Sequence, residues 1–185
     1  HPSVLAPLAT RSDLPSPIAF ELFWSVPAEL RRYLLSRFLT DSEMLTKILK
    51  ITHAMQVGET SGDTAHKERQ PADAVISRLR DGKLDDAASI LGEMADIQAE
   101  TAARIIADRQ GEPLAVVLKA LGINRAKFQE IVELLKQPDC GIIDGDRPTS
   151  ELQGVFDSLS FNKARVLLTY WDWAMMKSGP YAPAQ

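Results

Sequence analysis

A chain of 185 residues, 45% hydrophobic and 25% charged, is long enough to bury roughly 70% of its unfolded surface and too apolar for wholesale disorder. Its net charge of −4 divides into +6 and −5 up to Gln56 and +15 and −20 from Val57 onward, so neither half carries the broad positive surface that attracts nucleic acids or acidic membranes. Lone Cys140 cannot form an internal disulfide, no apolar run approaches the roughly 18 residues of a membrane helix, and His1-Pro2-Ser3 is neither a basic leader nor an initiator Met; these features read as a soluble, cytoplasmic fragment or processed product.

In chain order, stop and start signals predict helices of ordinary length and hardly any strand. A short helix runs through Leu5 and Leu8. Asp13-Leu14-Pro15 then reads as a cap, an apolar staple and a proline ahead of a helix with Ile18, Leu22 and Phe23. Ser25-Val26-Pro27 leads into Leu30, Leu34 and Phe38, and the capping box Thr40-x-x-Glu43 opens a helix with Met44, Leu45, Ile48 and Leu49. Residues 1–56 thus form a first helical half. The segment 57–71 has no large apolar anchor after Val57 and reads as a flexible loop or linker, and residues 72–185 form the second half.

The second half resumes with Val75, Ile76 and Leu79, stopped by Gly82, and continues through Leu84, Ala87, Ala88, Leu91 and Met94 into a unit that begins at Asp96. Gly111-Glu112-Pro113 sets proline in a first turn, where its missing N–H costs little, ahead of the stripe Leu114, Val117, Leu118 and Leu121. Gly122-Ile123-Asn124 combines a glycine C-cap, an apolar contact and a new N-cap before Phe128, Ile131, Val132 and Leu135. Residues 138–148 are rich in turn formers, and a closing helix from about Ser160 carries Ala164, Leu167, Leu168, Trp171 and Met175 on one face, read as core.

One relation spans the halves. Leu8 to Ser25 aligns with Leu91 to Asp108 at a constant shift of 83 residues, placing Asp13 on Asp96, Ala19 on Ala102 and Leu22 on Ile105, as equivalent positions of a cap-and-helix unit. Units with one apolar face that only neighbours cover predict an all-α helical repeat array, α-solenoid-like, with about nine or ten helices in two halves.

The stretch APLATRSDLPSPIAFELFWSVPAELRRYLLSRF resembles the HEAT-like and leucine-rich-repeat-variant units of bacterial helical-repeat proteins. The segment from Ala74 to Leu135, with FDSLSFNKARVLLTYWDWA near the end, is similar to the carboxyl half of a bacterial family known only as a domain of unknown function. That resemblance implies a longer parent protein with further repeats and supplies no catalytic residues to transfer.

The chemistry-bearing residues are sparse. His1, His53 and His66 lack neighbours at metal-ligand spacing and read as exposed side chains. Cys140 lies in a turn sequence with no base nearby in the chain, and Asp85-Asp86 reads as a helix-opening pair that complements the dipole. Asp139, Asp144 and Asp146 flank glycines without the spacing or closing glutamate of a calcium loop, which points to a solvated turn. No phosphate loop, nucleophile elbow or zinc-protease motif is present, so no catalytic residue, cofactor or metal is expected.

Two surfaces remain as candidates. Arg31, Arg32 and Arg37, with Arg11 nearby, form a basic patch suited to nucleic-acid phosphates, although a solvated helix face is the commoner use of such residues. Tyr170, Trp173 and Met176 cannot all share the face of Trp171, and aromatic and Met side chains are enriched where proteins meet, so these three form the candidate partner interface. The leading functional expectation is a non-catalytic interaction or scaffold module that binds a protein or its own copy. Nucleic-acid binding is the runner-up, and a regulatory subunit or an enzyme with an unrecognised site is third. Limited trypsin digestion is expected to cut first at Lys67 or Arg69; first cleavage within 114–135 would show that the division into halves is wrong.

Overall fold

The computed structural model describes residues 2–14, 16–27, 29–31, 33–35 and 70–176, and among them every regular element is helical, with no strand. The chain divides into two compact units, one of His1–Gly58 with Thr169–Gln185 and one of Glu59–Leu168. The helix expected after Thr40 and residues 57–69 of the expected linker lie outside the described residues. Gln70 and Pro71, assigned to the linker from the sequence, instead open a helix.

In the second unit, α3 (Gln70–Arg80), α4 (Leu84–Ala95), α5 (Ala99–Ile106), α6 (Glu112–Ala120), α7 (Arg125–Lys136) and α8 (Thr149–Ser158) follow in order; α1 (Pro2–Ala9) and α2 (Ser16–Phe23) belong to the first unit. Helix α9 (Phe161–Met176) begins in the second unit and ends in the first. Helix α3 packs on α4 and α7, α4 on α5, α5 on α6, and both α6 and α7 on α8. Helix α8 is the element the sequence reading leaves unassigned, although Leu152, Val155, Phe156 and Leu159 carry a helical apolar spacing and are buried.

Two turns in this unit are built alike. Gly82 and Gly122 each have φ +69°, and each closes a helix with paired bonds: Gly82 N–H to Leu79 O and Lys83 N–H to Arg78 O, then Gly122 N–H to Lys119 O and Ile123 N–H to Leu118 O. This is the Schellman arrangement, which satisfies the last carbonyls and needs a left-handed residue. A shift of 40 residues relates the two turns and carries Ala88, Leu91, Gly92 and Ala95 of α4 onto Phe128, Ile131, Val132 and Leu135 of α7, all of them buried. Asn124 caps α7 as its sequence suggests, accepting the Lys127 N–H at 3.0 Å.

Helix α6 is enclosed on every side, with residues 112–118 and Ala120 buried. Lys119 places its ammonium 4.5 Å from the centre of the Phe156 ring, and Phe156 stacks on Phe128 of α7 at 4.4 Å. Ion pairs Arg80–Glu130 and Lys127–Asp73 join α3 to α7 at the surface.

One expectation about helix starts is corrected. Asp96 is the left-handed C-cap of α4, with φ +55°, and α5 opens three residues later. Asp tolerates this conformation because its short side chain leaves the backbone room. The shift of 83 nevertheless carries Ser16 onto Ala99 and Phe23 onto Ile106, so α2 and α5 share both boundaries, and Ala19 and Ala102 are both fully buried. Leu22 is half-buried whereas its counterpart Ile105 is buried.

In the first unit, α1 packs on α2, and residues 29–31 and 33–35 are helical, with Leu34 and Leu35 buried. The core here is aromatic: the rings of Phe23 and Trp24 each lie 5.0 Å from Trp171.

Gly111 and Gly122 both have positive φ, but a Cβ on Gly111 would lie 2.9 Å from Leu152 Cδ1 and 3.1 Å from Ile143 Cδ1, while one on Gly122 would meet open space. Gly122→Ala is therefore expected to cost about 1–2 kcal/mol from backbone strain alone, and Gly111→Ala distinctly more, as read by urea denaturation. Equal costs would show that the α8 side of the core yields.

Candidate functional site

The basic patch does not assemble as expected. Arg31 is only 4% exposed: its Nε donates to Val26 O at 3.2 Å, its Nη2 donates to Trp24 O at 3.4 Å, and its guanidinium lies 5.1 Å from the centre of the Phe23 ring. It braces the carbonyls of the turn after α2, a use of arginine that sequence spacing does not distinguish from a solvated face. Arg11 is exposed but held by Asp13 through a two-pronged contact, with Nε–Oδ1 at 2.8 Å and Nη2–Oδ2 at 2.6 Å; that hydrogen bond and charge raise its pKa further. Arg32 and Arg37 lie outside the described residues, as do His1, His53 and His66.

On α9 the candidate interface residues separate. Tyr170 is buried, and burial pushes its phenol pKa up; its ring packs edge-on against Trp173 at 5.5 Å. Trp173 is half-buried and Met176 is 51% exposed. Met175, expected in the core with Trp171, is instead 38% exposed. The buried stripe Ala164, Leu167, Leu168 and Trp171 stops one turn earlier, because burial requires a covering layer and the 3.6-residue period alone cannot say how far that layer reaches. Trp171 is buried against Phe23 and Trp24, and its indole N–H has no hydrogen-bond partner, a cost of about 1–3 kcal/mol offset by aromatic packing.

The loop carboxylates serve turns. Asp144 Oδ1 accepts the Asp146 N–H at 3.2 Å, the Asx geometry expected of such a sequence, and the Asp144 N–H donates to Arg109 O at 3.1 Å. Asp85 and Asp86 sit in the first turn of α4. Cys140 donates its thiol to Leu79 O at 3.5 Å; burial, then the charge of Asp139, raises its pKa, keeping it a neutral, poor nucleophile. Among the described residues no group of three or more His, Cys, Asp or Glu side chains is placed to hold a metal ion, and no helix is long and apolar enough to cross a membrane.

Sequence reasoning missed a buried polar network at the start of α6. Asp108 Oδ1 accepts the N–H groups of Gln110 and Gly111, each at 3.0 Å, which turns the chain into the helix. Glu112, wholly buried, meets Arg147 with Oε1–Nη2 at 2.5 Å, and Arg147 Nη1 also donates to Gln110 through its carbonyl and its Oε1. Lys136 Nζ in turn donates to Arg147 O at 2.9 Å and to Thr149 Oγ1 at 3.2 Å. The pair is 35 residues apart in sequence and no local pattern announces it; the one legible signal is a glutamate next to Pro113 in a helix that is otherwise apolar up to Lys119. Both charged groups are removed from solvent, so the arrangement fixes two loops to α6 and offers no reacting group to a substrate.

Arg147→Met would strand the Glu112 carboxylate and is expected to cost about 3–5 kcal/mol in urea denaturation, with most of it restored in the Glu112→Leu/Arg147→Met double variant. A single-variant cost below about 1 kcal/mol would show that the network is not intact in solution.

The chain belongs to DUF2336, the family described as "Uncharacterised protein conserved in bacteria", whose profile matches residues 1–169. No curated protein and no solved structure matches it.

Proposed function

We propose that this protein is a non-catalytic interaction or scaffold module built of HEAT-like helical units, and that its partner is another protein. The observation that carries this reading is the distribution of exposed apolar side chains. Of the six large hydrophobic residues exposed among the described residues, five belong to the first unit: Val4, Ile18, Tyr33, Met175 and Met176. Single exposed apolar residues are ordinary, but their concentration on elements whose opposite faces are already buried is the pattern of a surface kept for a partner. The matched boundaries of α2 and α5, together with the twin turns at Gly82 and Gly122, support the repeat character of the units. Met is suited to such a surface because its flexible thioether adapts to a facing shape.

Nucleic-acid binding is the weaker reading. Arg31 is buried and Arg11 is paired with Asp13, which leaves Arg32 and Arg37, outside the described residues, to carry it.

The test replaces Met175 and Met176 by Asp in one variant. It is expected to keep the melting temperature of the parent within about 2 °C, because both side chains are exposed and surface changes rarely exceed 0.5 kcal/mol. It is also expected to lose a partner, or a self-association, that the parent shows by cross-linking and size-exclusion chromatography in a native bacterial extract. A parent that stays monomeric and unpartnered, or a variant that keeps the same associations, would refute this assignment of the α9 end.

A further inference from the structure

The sequence holds two Asp-Gly pairs, Asp81-Gly82 and Asp144-Gly145, and no Asn-Gly. In such a pair the aspartyl carboxyl can close a five-membered ring on the next backbone nitrogen, and glycine has no Cβ to hinder that closure. The two pairs differ at the atoms that would react. Gly82 is tied down: its N–H donates to Leu79 O at 3.1 Å, and its neighbours are held by Asp81 N–H to Ser77 O and Lys83 N–H to Arg78 O. Ring closure there has to break the turn between α3 and α4.

Gly145 is open by comparison. Its N–H has no hydrogen-bond partner among the described residues, the residue is exposed, and a Cβ built on it would meet nothing within 4 Å. The peptide plane between Asp144 and Gly145 therefore has room to rotate. The Asx turn that brings Asp144 Oδ1 to the Asp146 N–H folds the exposed carboxyl back along that same peptide.

We infer that Asp144 is a site of covalent modification, converted to isoaspartate through a cyclic imide with Gly145, and that the conversion detaches Arg147 from Glu112. The Gly145 nitrogen loses its proton and bonds to Asp144 Cγ, and a carboxyl oxygen leaves as water. Water then adds to the other imide carbonyl, formerly the main-chain carbonyl of Asp144, and the bond from that carbon to the Gly145 nitrogen breaks. The product has the composition of the starting chain, but its main chain runs through Cβ and Cγ and the former carbonyl ends as a free carboxylate. The extra main-chain bond, about 1.5 Å, is inserted between two fixed points. Upstream, Ile143 is buried with its N–H on Leu135 O at 3.1 Å, and the Asp144 N–H is held by Arg109 O. Downstream, Arg147 is buried with Nη1 on Gln110 and Nη2 on Glu112. Asp144 O, which accepts the Arg147 N–H at 3.1 Å, leaves the main chain altogether. The lengthened loop no longer places the guanidinium, and the wholly buried Glu112 carboxylate loses its partner.

The experiment ages the full chain at neutral pH, well below its melting temperature, beside Gly145→Ala. That variant hinders ring closure without disturbing the fold, since Gly145 lies outside the left-handed region and its Cβ position is open. Digestion after glutamate yields fragments 69–93 and 134–151, each with one Asp-Gly pair, and electron-transfer fragmentation distinguishes isoaspartate from aspartate in both. Isoaspartate is expected at Asp144 at about tenfold or more the level at Asp81, because closure at Gly82 first costs at least one backbone hydrogen bond. It is expected to be as scarce at Asp144 of the variant. In urea the aged parent is expected to show a second transition, at lower denaturant, whose amplitude follows its isoaspartate content, while the variant keeps a single transition. Treatment with an isoaspartyl methyltransferase and S-adenosylmethionine is expected to shrink that second transition. The proposal is overturned if Asp144 yields no more isoaspartate than Asp81 or than the variant. It is equally overturned if isoaspartate forms at Asp144 and the urea transition does not change, or if its enzymatic removal leaves the second transition in place.

Discussion

A helix enclosed on every side must have its polar ends satisfied inside the protein, and α6 imposes that constraint on the second unit. Its first turn directs backbone N–H groups into a buried environment. Pro113 removes one such donor, Asp108 turns the preceding backbone by accepting from Gln110 and Gly111, and the Glu112 carboxylate is met by Arg147. Holding Arg147 in place then fixes the loop of residues 144–149, which Lys136 ties to α7 through the Arg147 carbonyl. The position of α8 follows from the same arrangement, since Leu152 closes over Gly111 at a distance that leaves no room for a Cβ.

The first unit solves its packing differently. Short helices bury little area each, and the unit gathers Phe23, Trp24 and Trp171 into one aromatic cluster, with Arg31 spread over Phe23 and bonded to the turn carbonyls beside it. Aromatic rings supply large buried surfaces for few residues, which suits helices of eight residues such as α1 and α2. The same economy leaves apolar side chains over. Among the described residues Val4, Ile18, Met175 and Met176 are exposed, and that apolar surface connects the fold to the proposed interaction role.

Turn chemistry links the two scales. Gly82 and Gly122 reverse the chain by the same left-handed step and the same two hydrogen bonds, and the helices that follow bury the same four-position stripe. The shared turn fixes the helix ends but not the packing that follows, since α3 packs on α4 whereas α6 and α7 each pack on α8.

The sequence by itself determined the helical class, the starts at Asn124 and Pro113, the stops at Gly82 and Gly122, and the register that places α2 on α5, because caps, glycines and apolar spacing act within a turn or two of the chain. It also marked Trp171 as core. It misjudged Asp96, where an acidic residue near a helix boundary fits a C-cap as well as an N-cap, and it left α8 unassigned although the apolar spacing was present. Only the tertiary structure decided that Arg31 turns inward, that Tyr170 is buried while Met175 is exposed, and that Glu112 finds Arg147 across 35 residues of chain. Each of those outcomes depends on which helix covers which face, and a local pattern shows that a face needs covering without saying what covers it.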